Sequence, residues 1–373
     1  MNPLRFIRHL RNAISFSQLD NSKRRLVFYS EGKNYWVHLE GLIRELLRRG
    51  EVGVCYLSSG RDDPGLLVEH SCYRSYWIGE GNIRDWLFQN MDADVMVMTM
   101  PDLHQYQVKR SKNPVHYVYV QHSLVSLHMI YRGGAFDHFD TIFCSGEHHM
   151  KEIRAMEEVY RLPNKNLVRH GYGRLDSIIS EAAKLSEKKE VPERKHVLIA
   201  PSWGPNCIIE TIGLKVVDIL MTAGYQVTLR PHPQTIKYSF NTIKPILDRY
   251  NSDNRFCYEE NVAGQESLID SDVMICDWSG AALDYAFGLG KPVLFIDVPR
   301  KVNNPDYEKI EIEPFESLIR NKIGVIVDSS DLDKITTLLN SEIKPTAASE
   351  YVFSVGESSR IGAEAIMEIL QRS

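Results

Sequence analysis

Short apolar runs alternate with longer amphipathic segments in the first half of the chain. The runs predict strands at 26–29, 52–57, 95–99, 116–120 and 141–144, and the segments between or after them predict helices at 35–49, 83–90 and 147–159. Segment 35–49 places leucine and isoleucine on one face at helical spacing, as in a helix packed on a sheet. Strands that alternate with helices favour a parallel sheet covered on both faces, so this half is predicted to be Rossmann-like.

The second half repeats this alternation. Its predicted strands are 197–200, 226–230, 273–276, 293–296 and 325–327, and its predicted helices are 208–222, 240–250, 281–287, 332–339 and 361–371. Pro245 weakens the prediction of helix 240–250, because proline disrupts the interior of a helix. Two similar halves predict an α/β protein with two doubly wound domains, and ligands are expected in the cleft between them.

Changes in this pattern divide the chain into five predicted parts. They are a basic amphipathic segment (1–25), a Rossmann-like domain (26–185), a polar linker (186–195), a second Rossmann-like domain (196–350) and a C-terminal helix (351–373). The C-terminal helix could pack back on the first domain.

The first 19 residues combine apolar and basic positions at helical spacing. The apolar positions are Leu4, Ile7, Leu10 and Ile14, and the basic positions are Arg5, Arg8 and Arg11. Such a helix suits an anionic membrane surface. Packing on the body of the protein is an equally good interpretation, and both remain open.

A turn in the second half has the features of a diphosphate site. Asp277 and Ser279 follow the apolar run 273–276 and are N-cap candidates for the helix that begins near residue 281. The positive end of a helix and free backbone N–H groups favour an anion. Gly280 lets the backbone approach a ligand, and Asp284 is expected to lean back over the helix start. An ordinary helix cap with one solvated aspartate is the alternative.

Two further loops follow strands of the second half. Arg230 ends one strand, and His232 lies between two prolines, which stiffen the backbone around it. Arg230 could pair with phosphate oxygens, whereas His232 could donate to a phosphate oxygen or protonate a leaving group. Ser202 lies in the loop after strand 197–200 and could contact the same ligand, although an ordinary loop is the simpler interpretation.

The first half contributes one candidate base and one candidate turn. His122 follows strand 116–120, and a neutral imidazole suits a general base near neutral pH. A structural histidine is the alternative. Gly171, Arg174 and Asp176 lie in a turn before the linker, where they line the cleft or are simply solvated. The remaining conspicuous histidines, His128, His148 and His149, lack a ligand pattern and are expected to be solvated.

Composition narrows the possible functions. The 373 residues carry a net charge of −5, which gives no overall bias toward nucleic acid. The six cysteines lack zinc spacing, and the two Asp-x-Asp sequences, at 92–94 and 270–272, have the character of polar turns, so no metal is expected. No apolar run approaches the ~20 residues that span a bilayer, and no secretory signal is recognised. A cytoplasmic protein is therefore expected, and the basic N-terminal segment leaves open a peripheral position on the inner face of the membrane.

Five short motifs, in order, resemble those of the CDP-glycerol glycerophosphotransferase family of teichoic-acid and capsule polymer synthesis. They are His122-Ser123, the turn Gly171 to Asp176, the loop Ala200 to Trp203, Arg230-Pro231-His232-Pro233, and the segment Cys276 to Asp284. The resemblance implies a GT-B fold, in which the first domain binds the acceptor and the second binds the donor nucleotide. It further implies transfer of a polyol phosphate, glycerol phosphate above all, from a CDP-activated donor to a glycan or lipid-linked acceptor, with release of CMP and no cofactor.

The resemblance also implies roles for individual residues. His122 would deprotonate the acceptor hydroxyl, and the donor would be held by Arg230, His232, Ser279, Gly280 and Asp284. Ser202 and Asp277 are further donor-binding candidates, and His232 is also a catalytic candidate. The chain departs from the family pattern at Ser123, Pro231, Cys276, Trp278 and Gly280. These departures leave two alternatives open, a GT-B glycosyltransferase with another nucleotide-activated sugar and a non-catalytic nucleotide- or glycan-binding protein.

Overall fold

Two parallel sheets organise the computed structural model, which describes residues 3–106, 108–186, 194–262, 264–341 and 344–372. The first sheet has the order β3-β2-β1-β4-β5-β6-β7, and the second has the order β10-β9-β8-β11-β12-β13. Within each sheet every paired strand is parallel to its neighbour. All strands of a sheet therefore end at one common edge.

The first sheet is built from strands of four or five residues. They are β1 (Leu26–Ser30), β2 (Val54–Ser58), β3 (Tyr73–Trp77), β4 (Val95–Met98), β5 (His116–Val120), β6 (Thr141–Cys144) and β7 (Asn166–Arg169). The helices of this half are α1 (Pro3–Ser17), α2 (Lys33–Arg49), α3 (Asn82–Gln89), α4 (Leu127–Ile130), α5 (Glu147–Tyr160) and α6 (Gly173–Ser186).

The second sheet follows the same plan. Its strands are β8 (His196–Ile199), β9 (Gln226–Leu229), β10 (Phe256–Tyr258), β11 (Val273–Cys276), β12 (Val293–Asp297) and β13 (Gly324–Asp328). Its helices are α7 (Ile208–Thr211), α8 (Gly213–Thr222), α9 (Pro233–Tyr238), α10 (Phe240–Tyr250), α11 (Glu266–Asp270), α12 (Ala281–Leu289), α13 (Phe315–Ile323), α14 (Ile335–Leu339) and α15 (Ser358–Arg372). Helix α10 forms despite Pro245 in its interior.

Alternate side chains of the first sheet enter two different cores. Leu26 and Phe28 of β1 pack with α2 and α15, whereas Val27 and Tyr29 pack into the core on the opposite face. Period-two alternation with both faces apolar explains why the central strands are continuous apolar runs. The predicted α/β class and the doubly wound arrangement are confirmed.

A third core joins the two halves. It contains residues of both, among them Tyr172 and Leu175 beside Met274 and Leu283. Helix α6 lies against α2 of the first half and α12 of the second, and the missing side chain of Gly288 lets α12 approach Ile178 closely. The C-terminal helix packs back on the first half: α15 lies against α2, and the Leu370 carbonyl accepts a hydrogen bond from Arg25 at 2.7 Å.

The predicted domain division stays a prediction, because most of the predicted linker 186–195 lies outside the described residues. The halves also meet at a second seam, where Glu316 of α13 accepts hydrogen bonds at 2.8 Å from the backbone N–H and the hydroxyl of Ser126.

Three histidines near this seam were expected to be solvated, and that expectation was wrong. His149 is fully buried and bonds to the Val125 carbonyl at 3.0 Å, and His148 stacks on Phe315 with ring centroids 3.9 Å apart. His128 is buried and contacts Glu152 at 3.2 Å. Glutamate and main-chain partners far away in the sequence make burial of these imidazoles possible.

Helix α1 contains features of both interpretations offered for the N-terminal segment. His9, Ala13 and Phe16 are buried against the first half, and the His9 ring packs edge-on against Trp77 at 4.4 Å. Leu4 and Ile7 nevertheless remain 76% and 61% exposed. No helix among the described residues has the length and apolar character needed to cross a bilayer.

Candidate functional site

The two sheet edges that face the junction carry most of the predicted site residues. In a doubly wound sheet, ligands bind outside the carboxyl ends of the strands where the strand order reverses. That point lies between β1 and β4 in the first sheet and between β8 and β11 in the second. His122 follows β5, whereas Ser202 and Asp277 follow β8 and β11 directly.

His122 lies in a cage of aromatic side chains. Its Nδ1 is 2.9 Å from the Tyr119 hydroxyl, and its Nε2 is 3.3 Å from the Tyr131 hydroxyl. The rings of Tyr35 and His38 have centroids 5.8 and 6.0 Å away. The longer contact, at Nε2, is the one that a substrate hydroxyl could replace most easily.

Burial in this cage controls the charge of the imidazole. It lowers the pKa of His122 to about 4, so the ring is neutral at pH 7 and can accept a proton. Tyr172 donates a hydrogen bond to the backbone carbonyl of His122 at 3.0 Å and holds the loop in place. The position is therefore compatible with the predicted base.

The turn after β11 touches the loop that carries His122. A Cβ atom added at Gly280 would lie 2.8 Å from the Ser123 hydroxyl oxygen, so any larger residue would require the Ser123 side chain to move. The Ser279 hydroxyl accepts a hydrogen bond from the Ala281 N–H at 3.3 Å, and the N-cap residue of α12 is Gly280. Among the described residues the Gly280 N–H has no acceptor, which leaves it for a ligand.

Asp277 was predicted to contact the donor, but its carboxylate is already occupied. One oxygen accepts from the Ser202 N–H at 2.6 Å and the other from the Ile208 N–H at 3.0 Å. Asp277 is buried, and it joins the loops after β8 and β11 across the point where the strand order reverses. Asp277 is therefore a positioning residue, and Ser202 is held by it through its backbone.

The tautomer of His232 follows from its surroundings. Its Nδ1 accepts a hydrogen bond from the Gln234 N–H at 3.1 Å and caps α9. Burial and the charge of Lys301 lower its pKa to about 4. A neutral ring whose Nδ1 is an acceptor carries its proton on Nε2. His232 can therefore donate a hydrogen bond to a phosphate, whereas the acid role is disfavoured because it requires an imidazolium.

Lys301 is a candidate that the sequence analysis missed. Its ammonium lies 4.2 Å from the centre of the Trp203 ring, and Trp203 lies 5.9 Å from the His232 ring. Burial lowers the pKa of Lys301 to about 8, and Asp277 opposes the fall. Lys301 follows β12, so the rule that selected the other loops would also have found it.

Arg230 does not present a free guanidinium, contrary to expectation. It donates to the Ser267 hydroxyl at 2.9 Å and to the carbonyls of Val262 and Gly264 at 2.6 and 2.9 Å. It is buried, and burial lowers its pKa to about 10. A phosphate would have to displace these carbonyls, so Arg230 holds the loop before α11 instead.

Asp284 was predicted to contact the donor, and Arg174 was predicted to line the cleft or to be solvated, but the two side chains contact each other. They form a buried ion pair at 2.8 Å that links α6 to α12. Burial raises the pKa of Asp284, and the charges of Arg174 and Arg230 oppose the rise. This pair fastens the two halves together behind the turn at Gly280.

Gly171 and Asp176, the other residues of the turn predicted before the linker, contact the segment that leads into α15. Asp176 accepts hydrogen bonds from the backbone N–H groups of Gly356 and Ser358, at 2.6 and 3.0 Å, so it does not line the cleft. Gly171 has φ +94°, and a Cβ there would lie 2.4 Å from the Phe353 carbonyl oxygen. Both residues hold the returning C-terminal segment against the first half.

The described residues offer no evident metal-binding site. No cluster of three or more histidine, cysteine, aspartate or glutamate residues suitable for a metal occurs in the described part of the chain. The first Asp-x-Asp sequence is paired, since Asp92 contacts Arg24 at 2.8 Å and Asp94 contacts Arg25 at 2.5 Å.

The family model of CDP-glycerol:poly(glycerophosphate) glycerophosphotransferase matches residues 84–302, more than half of the chain. Two Rossmann-like sheets with facing carboxyl edges constitute a GT-B fold, and the protein is a glycerophosphotransferase-like transferase of this fold. The chain belongs to the CDP-glycerol glycerophosphotransferase family. No curated protein matches the sequence.

Solved structures agree on the fold. The wall teichoic acid polymerase TagF superposes with a TM-score of 0.59 at 15% identity, covering 99% of this chain and 96% of that one. UDP-GlcNAc 2-epimerase from Neisseria meningitidis gives 0.61 at 12% identity, covering 92% and 99%. The epimerase from Methanocaldococcus jannaschii gives 0.59 at 16% identity, covering 93% and 99%. At such identities these likenesses establish the architecture alone.

Proposed function

We propose that this protein transfers glycerol phosphate from CDP-glycerol to a hydroxyl of a glycan or lipid-linked acceptor and releases CMP. The observation that carries the proposal is the contact between Gly280 and Ser123. It brings a turn with a free N–H group beside the residue that follows a neutral, buried histidine. One TagF structure of the same fold followed a soak with CDPG, in keeping with a CDP-activated donor.

The donor diphosphate is assigned to the turn that opens α12. The N–H of Gly280 and the positive end of the helix stabilise its charge. His232 donates from Nε2, and Lys301 supplies a cation without a carboxylate in ion-pair distance among the described residues. Transfer of a phosphoryl group depends chiefly on positioning and on neutralising phosphate charge, which these groups provide.

His122 is assigned the proton transfer. It takes the proton from the acceptor hydroxyl, the oxygen forms a bond to the β-phosphorus, and the bond from that phosphorus to the bridging oxygen breaks. CMP leaves with the electron pair of that bond. The free imidazole is a weak base because burial lowers its pKa to about 4. An anionic donor nearby raises that pKa, since negative charge favours the imidazolium, and so strengthens the base only when the donor is bound.

Release of CMP tests this proposal. The purified full chain is mixed with CDP-glycerol and a lipid-linked acceptor that ends in a free hydroxyl, and nucleotide products are separated by chromatography. Acceptor-dependent formation of CMP is expected. UDP-GlcNAc and CDP-ribitol serve as parallel donors, and acceptor-dependent release of UDP would instead establish the glycosyltransferase alternative. The absence of any product with wild-type protein that still binds CMP would favour the non-catalytic alternative.

Contact with an anionic membrane surface is assigned to α1. Its exposed apolar residues are Leu4, Phe6, Ile7, Leu10 and Ile14, and Arg5, Arg8 and Arg11 are exposed among them. Apolar side chains that enter the acyl boundary, together with arginines at the head groups, stabilise such an arrangement. It would place the active site beside a lipid-linked acceptor.

A further inference from the structure

A group of polar side chains at the first sheet edge has no part in the chemistry described above. Glu31 follows β1, which lies at the point where the order of the first sheet reverses. Its carboxyl interacts with the Tyr35 hydroxyl, and Tyr35 is one of the rings around His122. Glu31 therefore adjoins the cage of the candidate base.

Unsatisfied polar atoms surround this position. Thr99 and Gln121 directly follow the neighbouring strands β4 and β5, and they are 0% and 1% exposed. Among the described residues, the Thr99 hydroxyl, both polar atoms of the Gln121 amide and one oxygen of Asp102 are buried without a hydrogen-bond partner. A backbone group of Thr99 also interacts with the imidazole of His122. Buried polar groups are normally paired, so this edge is built for a ligand or for ordered water.

The charge of this edge indicates what kind of ligand it accepts. Glu31 interacts with Glu80 and Asp102. Two cations act on this edge: Arg84 already pairs with Asp85 at 2.9 Å, and Arg132, which interacts with Asp102, lies over the Tyr106 ring at 5.4 Å. The second sheet edge instead offers Lys301 and the N-terminus of a helix. A phosphate would meet repulsion at the first edge, whereas hydroxyl groups donate well to carboxylates.

We infer that Glu31, Thr99, Asp102 and Gln121 form a pocket for the uncharged, hydroxyl-bearing end of the acceptor, and that they turn one of its hydroxyls toward His122. The inference rests on the proposed function for the identity of the reaction, but not for the binding itself. Glu31 and Thr99 are specificity and positioning residues, because they contact the acceptor end and not the phosphorus.

Two isosteric variants of the full chain test the pocket. Glu31→Gln and Thr99→Val each remove one interaction while conserving volume. With saturating CDP-glycerol and a short oligo(glycerol phosphate) that ends in a free hydroxyl, each variant should raise the KM for the acceptor at least ~10-fold, because a buried partner is left unpaired. The Kd for CMP should stay within about twofold. Glu51→Gln, at an exposed position of the same half, is the matched control and should change neither value.

The pH dependence of acceptor affinity distinguishes direct binding by Glu31 from a purely structural role. Burial raises the pKa of Glu31 to about 7, with Arg84 opposing the rise and Glu80 and Asp102 adding to it. A carboxylate accepts hydrogen bonds more strongly than a carboxylic acid does, so the acceptor affinity of the wild type should improve as pH rises through about 7. Glu31→Gln should abolish that improvement.

A binding measurement separates this inference from the proposed function. Saturation-transfer NMR with the same oligomer and CMP requires no turnover, and the signal should fall at least severalfold in Thr99→Val. An oligomer capped by a terminal phosphate should compete at least ~10-fold more weakly. Equal binding by wild type and both folded variants, or equal competition by the capped oligomer, overturns the pocket and leaves ordered water as its occupant. Failure of CMP release in the wild type, with binding intact, contradicts only the proposed function.

Discussion

The two sheet edges that meet at Gly280 and Ser123 differ in chemistry. The first edge holds a neutral histidine among tyrosines, beside carboxyl groups and unpaired amide and hydroxyl groups. The second edge holds a glycine turn at a helix N-terminus, a lysine and a histidine whose Nε2 is a donor. Under the proposed function, the first edge suits the acceptor hydroxyl and the second edge suits the donor phosphates.

The comparison also separates ligand-binding groups from groups that only hold the edges in place. At the second edge, Asp277, Arg230 and Asp284 are saturated by protein partners, whereas Gly280, His232 and Lys301 are not paired in that way. Asp277, Arg230 and Asp284, which sequence analysis assigned to donor binding, therefore stabilise the loops and helices of this edge instead. Four sets of variants test this division.

The buried pair between Arg174 and Asp284 should matter most for stability. Arg174→Met leaves a buried carboxylate without its partner, which typically costs about 3–5 kcal/mol. Denaturant unfolding followed by circular dichroism measures the loss. The exposed pair of Arg360 with Glu364 provides the control, because Arg360→Met should change little. If Arg174→Met is as stable as wild type but has lost affinity for the donor, the pair would instead be part of the donor-binding site.

Loss of the candidate base should produce the largest effect on chemistry. His122→Ala should lower kcat by about 10²-fold or more, with the affinity for CMP unchanged, since the imidazole acts on the acceptor hydroxyl. Acceptor-dependent CMP release measures kcat, and calorimetry measures the affinity. His70→Ala, at an exposed position of the same half, should behave as wild type. An unchanged kcat in His122→Ala would show that His122 is not the general base.

Lys301 should act on the donor alone. Lys301→Met should raise the KM for CDP-glycerol about 10-fold, and the KM for the acceptor should stay constant. Because burial lowers the pKa of Lys301 to about 8, the wild type should lose donor affinity as pH rises through 8, where the ammonium loses its charge. Lys301→Arg keeps the cation and should keep the affinity at pH 9. A wild-type donor affinity that is constant from pH 7 to 9 would contradict this role.

The smallest effect is expected at α1. The double substitution Leu4→Ser with Ile7→Ser should lower partition to vesicles that contain anionic lipid by roughly 3–10-fold, because apolar area no longer enters the bilayer. Co-sedimentation measures the bound fraction. Leu67→Ser is the control, since Leu67 is 81% exposed and ends the short 3-10 helix Pro64–Leu67, which carries no basic residue. Equal binding of all three proteins would leave α1 with its packing role alone.

Much of the fold could be predicted from the sequence because the central strands are buried on both faces. Every predicted strand exists, whereas the overlooked strands β3, β7 and β10 all lie at sheet edges. An edge strand is less enclosed and carries polar residues, as β7 does, so it lacks a continuous apolar run. The central strands were therefore predictable, and the edge strand β13 was found as well because residues 325–327 form a short apolar run.

The site was predictable in location but not in detail. Sequence position places His122, His232 and Gly280 at sheet edges, and the structure keeps them there. Sequence position could not show that Arg230 is paired with a carbonyl 32 residues away, or that Arg174 is paired with a carboxylate 110 residues away. Glu31, Thr99 and Gln121 were overlooked for a related reason, since the lack of a partner is a property of the folded chain.

A crystal structure of His122→Ala with CDP-glycerol tests the central division most directly. We expect the diphosphate against the Gly280 N–H, with His232 Nε2 and the Lys301 ammonium about 3 Å from its oxygens. The β-phosphorus should face the cavity left at position 122. A nucleotide bound with its phosphates at the Glu31 edge, or away from the turn that opens α12, would contradict it.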